Sequence, residues 1–227
     1  TLRLNFTAES ETTRIEILET GRDLANGRGI RLDEIKVSED NAIENTDFES
    51  GAWEPNRQGS TFVESVNGWL SPTGAIELKN IKDDQGQPLS GKQFIELNTD
   101  PLDHFQDSPG IYKTLQTTAG QTYKLKVGYA GRPGFDATVN RLEILVDGKS
   151  QGIWDDDQSK NKTSYHDWKE LEVVFKATTA NTRIDIREAG DDINYGRGIR
   201  IDDIRVEKLN ASATTKEPLS DNKDGQA

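Results

Sequence analysis

The residues in this sequence best suited to hold a ligand are aromatic side chains that fall between predicted strands. Saccharides stack on aromatic rings and are recognised by planar polar side chains beside those rings. The aromatic residues near turn-rich stretches are Trp53, Phe105, Phe135, Trp154, Tyr165 and Tyr195. For Trp154 and Tyr195 the sequence leaves a ligand platform and ordinary loop packing equally open.

A second candidate feature pairs a guanidinium group with a ring. Arg132 follows Tyr129 by three residues, and such a pair can hold a carboxylate or two neighbouring hydroxyl groups. The predicted carbohydrate-binding residues are therefore Trp53, Tyr129, Arg132, Trp154 and Tyr195.

Catalytic chemistry finds less support in the sequence. The chain has 2 histidines and no cysteine, and it contains neither G-x-S-x-G nor H-E-x-x-H. Glycoside hydrolysis needs only two carboxylates, and the pair best placed for it, on strands of one predicted sheet, is Glu77 and Glu96. Because any chain with 40 acidic residues can supply a pair, we predict ordinary sheet-face acids and no enzyme activity.

Composition limits the class of partner. The 227 residues carry a formal net charge of −12, which argues against nucleic acid and against an anionic membrane surface as partners. The absence of cysteine excludes disulfides and thiolate metal sites. No apolar run approaches the roughly 20 residues of a membrane-spanning helix. We therefore predict neither nucleic-acid binding nor membrane insertion.

The elements that must position these side chains are short strands. Tyr123, Leu125, Val127 and Tyr129 alternate with polar residues, which is typical of a half-buried strand. The predicted strands are Ala75–Leu78, Gln93–Leu97, Ile111–Leu115, Thr122–Tyr129, Arg141–Val146, Leu171–Phe175, Arg183–Ile186 and Ile199–Val206. Many short strands and no sustained helical period predict an all-β fold, a two-sheet antiparallel jelly-roll sandwich.

An internal repeat divides the chain. Residues 2–37 align without a gap with residues 171–206, and eighteen of the 36 positions are identical. Residues 1–38 are therefore interpreted as the C-terminal strands of a preceding repeat, 39–209 as a complete repeat, and 210–227 as a polar tail or linker. Arg28 recurs as Arg197, which indicates a scaffold residue, whereas Asn26 is replaced by Tyr195.

Several motifs occur in an order that resembles a known class. They are Asn45–Glu49, Gly68-Trp69, Phe94–Leu97, Ile111–Leu115 and Ile201–Ile204, with Trp69, Tyr123, Trp168 and Phe175 at core positions. The set resembles the galactose-binding-like β-jelly rolls, which include many carbohydrate-binding modules. It is especially similar to repeats of large secreted, calcium-dependent bacterial adhesins and haemolysin-type proteins. The usual glycine of the opening motif is replaced here by Thr46.

This resemblance implies a buried calcium ion where the first strand meets the last. The matching positions are Glu49 and Asp202, with Asp203 beside them. Hard carboxylate and carbonyl oxygens are the ligands that calcium requires. The alternative is that these acids solvate a strand edge or pair with Arg200 and Arg205.

The leading prediction from sequence is a non-catalytic, calcium-stabilised carbohydrate-binding module of an extracellular multi-repeat protein. Its expected partners are a polysaccharide or cell-surface glycan and the neighbouring repeats of the same chain. The first alternative is a structural spacer in an adhesin stalk without glycan binding. The second is a polysaccharide-degrading enzyme.

Overall fold

The computed structural model describes residues 14–17, 42–50, 60–80, 87–97, 109–161, 167–191 and 197–209. The chain divides into two compact units, residues 1–41 and residues 42–227. Residues 1–38 were predicted to be the C-terminal strands of a preceding repeat; of the first unit only residues 14–17 are described, and they are exposed and carry no strand. Trp53, Tyr195 and the tail after residue 209 lie outside the described residues.

The described part of the second unit consists of strands and their connections, and no helix occurs in it. It accordingly has no helix long and apolar enough to cross a membrane. The strands are β1 (Ala42–Thr46), β2 (Ser60–Val63), β3 (Ser65–Val66), β4 (Trp69–Leu70), β5 (Ile76–Asn80), β6 (Gln93–Glu96), β7 (Gly110–Gln116), β8 (Thr122–Ala130), β9 (Arg141–Val146), β10 (Lys149–Asp155), β11 (Lys169–Lys176), β12 (Asn181–Glu188) and β13 (Arg200–Lys208).

These strands form two antiparallel sheets. Sheet A has the order β11-β8-β13-β6-β5-β2, and β1 also pairs with β13; sheet B has the order β10-β9-β12-β7-β4-β3. Strand β13 pairs with β8 along one edge, and its other partners are β6 at residues 200–201 and β1 at residues 204–207. The predicted all-β, two-sheet antiparallel jelly-roll fold is thus confirmed.

The hydrophobic core lies between the inner faces of the two sheets. Strand alternation supplies it, as in β11, where Leu171, Val173 and Phe175 are buried and Val174 is exposed. Trp69 is fully buried in the same core. The predicted core residue Trp168 is different: it is only partly buried, and its ring lies edge-on to Phe94 with centroids 5.9 Å apart.

Eight of the described strands follow the predicted runs to within a few residues, and five were not predicted. Strands β3 and β4 have two residues each, too few to show a period. In β10 the register with β9 shifts between Ser150 and Gly152, and this bulge breaks the alternation.

Two neighbouring valines of β11 provide a matched test of the core. Val173 is 6% exposed in the core and Val174 is 58% exposed on the other face of the strand. We expect Val173→Ala to lower the free energy of unfolding by about 2 kcal/mol, because it leaves a cavity, and Val174→Ala to change it by less than ~0.5 kcal/mol. Urea unfolding of both variants measures the difference; equal effects would contradict the assigned strand phase.

Candidate functional site

Sheet A has a second buried face, which we call the polar face: the surface directed away from the core. On β5, Ile76 and Leu78 enter the core, so that Glu77 and Lys79 lie on the opposite side. The same alternation places further side chains there from β2, β6 and β13. The polar face comprises Ser60, Glu77, Lys79, Phe94, Glu96 and Arg200, all buried.

Ion pairs link these side chains into one network. Lys79 Nζ lies 2.8 Å from Glu77 Oε1 and 3.6 Å from Glu96 Oε2. Arg200 Nη2 lies 3.5 Å from the same Glu96 Oε2, and Arg132 Nη1 donates to Glu96 Oε1 at 2.7 Å. The side chain of Glu96 is fully buried, and three cations surround it.

Burial of so many charges requires an explanation beyond stability. Each ion loses its hydration, and apolar residues of the same volume often stabilise a fold as well or better than a buried ion pair. Here the charges lie outside the core, on a face that water or apolar side chains could equally have covered. A cluster of this kind is a candidate functional site.

The network reaches solvent at one end, through three residues that we call the rim: Arg132, Phe135 and Arg197. The guanidinium carbon of Arg132 lies 5.8 Å from the centre of the half-buried Phe135 ring, and that of Arg197 lies 5.2 Å from it. Glu96 Oε1 accepts hydrogen bonds from Arg132 and from the N–H of Gly198, at 3.2 Å. One carboxylate oxygen of Glu96 therefore binds both Arg132 and the backbone directly after Arg197.

A second buried carboxylate closes the loop that carries Arg197. Glu188 Oε1 accepts from Gly190 N at 3.0 Å and Oε2 from Ile199 N at 2.9 Å. Gly190 approaches closely enough that a Cβ would lie 2.1 Å from the carbonyl oxygen of Val139. Burial raises the pKa of Glu188 to about 8.

Of the predicted carbohydrate-binding residues, the structure brings Arg132 to this site. Tyr129 is 8% exposed and belongs to the hydrophobic core. Trp154 lies in strand β10, not in a loop, and its ring covers Gly152 and packs against the core. Trp53 and Tyr195 lie outside the described residues.

The predicted carboxylate pair lies in the network. Glu77 and Glu96 are direct neighbours across β5 and β6, and Lys79 bridges them. The pKa of Glu77 is raised, chiefly by burial and then by Glu96. Burial alone would raise the pKa of Glu96, but Arg200, Arg132 and Lys79 lower it. The two carboxyl groups thus face a bridging ammonium group rather than an open space for a substrate.

The predicted calcium residues hold a segment of backbone. Glu49 Oε1 accepts from the N–H groups of Lys92 and Gln93, both at 2.7 Å. Asp202 Oδ2 accepts from Leu89 at 2.9 Å and Ser90 at 3.0 Å. Both carboxylates therefore bind the same segment, residues 89–93. Burial raises the pKa of Asp202 to about 7.

The surroundings of this segment bear on whether a cation fits. Asp203 is exposed, in a bulge of β13 with φ of 50°. Ser90 Oγ is buried without a hydrogen-bond partner among the described residues. Those residues contain no group of three or more acidic, histidine or cysteine side chains able to hold a metal. Glu49, Asp202 and the Ser90 hydroxyl supply oxygens of the kind that calcium requires, and backbone carbonyls would have to complete the set.

Sequence reasoning missed most of the network. Lys79, Arg200 and Glu188 were not selected, and Arg197 was assigned to the scaffold. A usable signal existed: Glu188 and Arg200 recur as Glu19 and Arg31 in the N-terminal repeat segment. Polar residues retained in register with core positions indicate buried polar contacts.

The raised pKa of Glu188 predicts a pH-dependent stability. Between its ordinary value of 4.5 and about 8 the folded protein keeps the proton that the unfolded chain releases. The free energy of unfolding therefore falls as pH rises through this window, by up to ~1.4 kcal/mol per pH unit. Urea unfolding at several pH values measures this slope.

Two variants isolate the contribution of Glu188. Glu188→Gln carries no titrating group at this position and is expected to reduce the slope, most clearly between about pH 7 and 8, because the raised pKa of Asp202, about 7, contributes to the slope at lower pH. Glu143→Gln is the control, because the pKa of Glu143, which pairs with Arg187, is lowered and its titration lies in acid. An unchanged slope in Glu188→Gln would contradict the assignment.

Neither the protein-family models nor the curated proteins include a match to this sequence. Among solved structures, the chain is similar to the CBM22-1 and GH10 modules of a Clostridium thermocellum endo-1,4-β-D-xylanase complexed with xylohexaose (13% identity, TM-score 0.45, 79% of this chain and 30% of that chain). A family 35 carbohydrate-binding module from an environmental isolate shows 19% identity and a TM-score of 0.42, over 66% and 96% of the two chains. The K2 cleaved adhesin domain of Lys-gingipain shows 18% identity and a TM-score of 0.43, over 72% of this chain and 98% of that chain. The chain thus spans under a third of the xylanase chain.

Proposed function

We propose that this protein is a non-catalytic carbohydrate-binding module and that the polar face with its rim forms the binding site. The observation that carries the proposal is the buried charge network on the non-core face of sheet A, which opens to solvent at Arg132, Phe135 and Arg197. A partly exposed ring flanked by planar polar groups is the combination that saccharide recognition uses.

The network would serve binding by fixing the rim before the ligand arrives. Arg132 is held by Glu96 and by its own backbone, whose N–H donates to Asn140 Oδ1 at 2.7 Å. Asn140 Nδ2 in turn donates to the carbonyl of Phe135 at 3.1 Å. A side chain already held in its bound geometry loses little conformational entropy on binding, and affinity rises accordingly.

The same geometry supports binding without hydrolysis. A glycosidase needs room between its two carboxyl groups for a glycosidic oxygen, a water molecule or the sugar carbon that is attacked. In this protein the ammonium group of Lys79 contacts both Glu77 and Glu96, and both side chains are at least 97% buried. These acids hold cations in place, which is a positioning role.

A matched pair of aromatic variants tests the site. Phe135→Ala removes the ring at the rim, and Tyr112→Ala removes a ring on sheet B that stacks with Arg183 at 3.9 Å. Against an array of glycans and soluble polysaccharides, we expect Phe135→Ala to weaken binding by roughly tenfold or more, and Tyr112→Ala to leave it unchanged.

Affinity electrophoresis or calorimetry gives the dissociation constants for this comparison. Binding lost in Tyr112→Ala but kept in Phe135→Ala would place the site on the other sheet. A complete absence of glycan binding by the full chain would reject the proposed function and favour the alternative, a structural spacer.

We also propose that calcium stabilises the fold, through Glu49 and Asp202. Two acidic side chains, from residues near the first and last strands of the second unit, bind one short segment. The buried Ser90 hydroxyl lies in that segment. Bound calcium would supply the positive charge that these carboxylates lack among the described residues, and its availability fits the extracellular, multi-repeat context proposed for this chain.

Calcium binding can be tested by melting temperature. We expect chelation to lower the melting temperature and added Ca²⁺ to restore it, since a ligand of the folded state alone stabilises that state. Glu49→Gln is expected to reduce the calcium-dependent shift. Asp157→Asn, which changes an exposed acid after β10, is the control. A melting temperature insensitive to both chelator and calcium would reject the metal.

A further inference from the structure

We infer that a set of solvent-accessible ion pairs selects strands β11–β13 over the equivalent residues of the N-terminal repeat segment. The chain contains this three-strand sequence twice, as residues 2–37 and as residues 171–206, whereas the described sandwich has one place for it. Charged side chains on β8 and β9 decide between the two copies. This inference concerns the identity of the strands and does not depend on the proposed glycan binding.

The buried side chains do not distinguish the two copies. In β11 the core residues Leu171 and Phe175 recur as Leu2 and Phe6. Because hydrophobic burial is not directional, packing of the same residue types favours neither copy strongly. Other buried residues of β12 and β13 recur unchanged, namely Ile184, Ile186, Glu188, Arg200, Asp202, Ile204 and Val206 as Ile15, Ile17, Glu19, Arg31, Asp33, Ile35 and Val37.

The N-terminal copy is also within reach of the same place. Ser38 aligns with Glu207, and Glu207 pairs with Ala42 where β13 meets β1. Three residues, 39–41, separate Ser38 from Ala42, and loops of three residues commonly join antiparallel strands. Chain connectivity therefore does not exclude the N-terminal copy, and another feature has to favour β11–β13.

Two lysines of β8 pair with acids on both neighbouring strands. Lys126 Nζ lies 2.9 Å from Glu170 Oε1 and 2.8 Å from Glu172 Oε1, both on β11. Lys124 Nζ lies 3.1 Å from Glu207 Oε1 on β13 and 3.7 Å from Glu172 Oε1. Hydrogen bonds to Glu172 and Glu170 raise the pKa of Lys126, and the bond from Lys126 lowers the pKa of Glu172. Strand β8 is thus matched in charge to β11 and to β13.

The N-terminal copy lacks these acids. The cross-strand partner of Lys126 in the register of β8 and β11 is Glu172, so Arg3 would lie opposite Lys126 if the copies were exchanged. Like charges directly opposite each other destabilise a strand pair, whereas opposite charges stabilise it. When the alignment is extended by one residue at each end, Glu170, Glu172 and Glu207 correspond to Thr1, Arg3 and Ser38.

Strand β9 shows the same discrimination on sheet B. Arg187 of β12 donates two hydrogen bonds to Glu143 Oε2 of β9, at 2.8 Å from Nε and 2.5 Å from Nη2. The residue that corresponds to Arg187 in the N-terminal copy is Leu18, which has no charge to offer Glu143. Both sheets therefore carry an ion pair that only the C-terminal copy can form.

An ion pair within one strand behaves differently. Arg183 Nη2 lies 2.6 Å from Asp185 Oδ1 on the same strand, and the pair recurs as Arg14 and Glu16, whose side chains also form an ion pair. This pair requires nothing from the rest of the sandwich. The two copies therefore keep the pair that lies within a strand and differ in the solvent-accessible pairs that join β11–β13 to β8 and β9.

The size of the expected selection follows from the number of pairs. Each exposed ion pair shifts an equilibrium by only about 1.4-fold to fivefold. Several such pairs act together here, and the contact between Arg3 and Lys126 would add repulsion to the exchanged arrangement. We therefore expect these charges to favour β11–β13 by roughly tenfold or more.

Engineered disulfides report which copy lies beside β8, because the chain has no cysteine of its own. Thr122 pairs with Lys176 in register, and Lys176 aligns with Thr7. Neighbours across antiparallel strands lie within the Cα separation that a disulfide needs. In the full chain we expect Thr122→Cys/Lys176→Cys to oxidise readily and Thr122→Cys/Thr7→Cys to give almost no cross-link.

An exchange of charge between the copies tests the selection. Arg3→Glu/Glu172→Arg preserves the composition and the net charge of the chain, and it moves the acid to the N-terminal copy. We expect it to raise the Thr7 cross-link roughly tenfold, measured by gel electrophoresis without reductant and by mass spectrometry. The matched control is Asn5→Val/Val174→Asn, which exchanges two uncharged residues at equivalent positions and is expected to change the cross-link little.

A second variant acts from β8 and leaves both copies unchanged. Lys124→Glu/Lys126→Glu repels the acids of β11 and β13 and attracts Arg3, so the same rise in the Thr7 cross-link is expected. A rise in the charge variants that the control lacks supports the inference. The inference is rejected if both charge variants stay at the level of the control, or if the Thr7 cross-link is already extensive with the original charges.

Discussion

The carboxylate of Glu96 is the interaction on which the candidate site depends. It lies on β6, beside the central strand β13, and one of its oxygens holds Arg132 and the backbone of Gly198. Its other oxygen faces Lys79 and Arg200. A fully buried negative charge is tolerable only with such compensation, so Glu96 requires the strand register that brings these cations to it. Loss of this one charge would remove the carboxylate that Lys79, Arg200 and Arg132 share.

The two faces of sheet A divide the work of the sequence. The inner face carries aliphatic and aromatic side chains that join sheet A to sheet B, and this packing supplies most of the stability. The outer face carries buried charges, which lower that stability, but their ion pairs hold its side chains in a fixed geometry. Glu188 extends this principle to a loop, since its two oxygens bind the backbone at both ends of residues 190–199.

Much of the fold could be predicted because its longest strands alternate. In β8 and β11 the alternation of apolar and polar residues shows which side chains face the core. Strand β5 is different. Its alternation of apolar and charged residues predicts one exposed face, whereas Ile76–Asn80 is buried on both faces. The network could not be predicted because it depends on register, which places Glu77 opposite Glu96. Trp154 was expected near a loop because the bulge in β10 breaks the alternation that would have predicted this strand.

In residues 188–200, the residues that the two copies of the repeat share can be separated from those that differ between them. The ends of this range are nearly the same in both copies: Glu19 and Gly21 match Glu188 and Gly190, and residues 27–31 are identical to residues 196–200. Between them, four of the five residues at 22–26 differ from those at 191–195. The hydrogen bonds of Glu188 go to Gly190 and Ile199, which are residues that the two copies share, so the differences between the copies leave these bonding residues unchanged. Sequence change between the two copies is thus concentrated where Glu188 makes no bond.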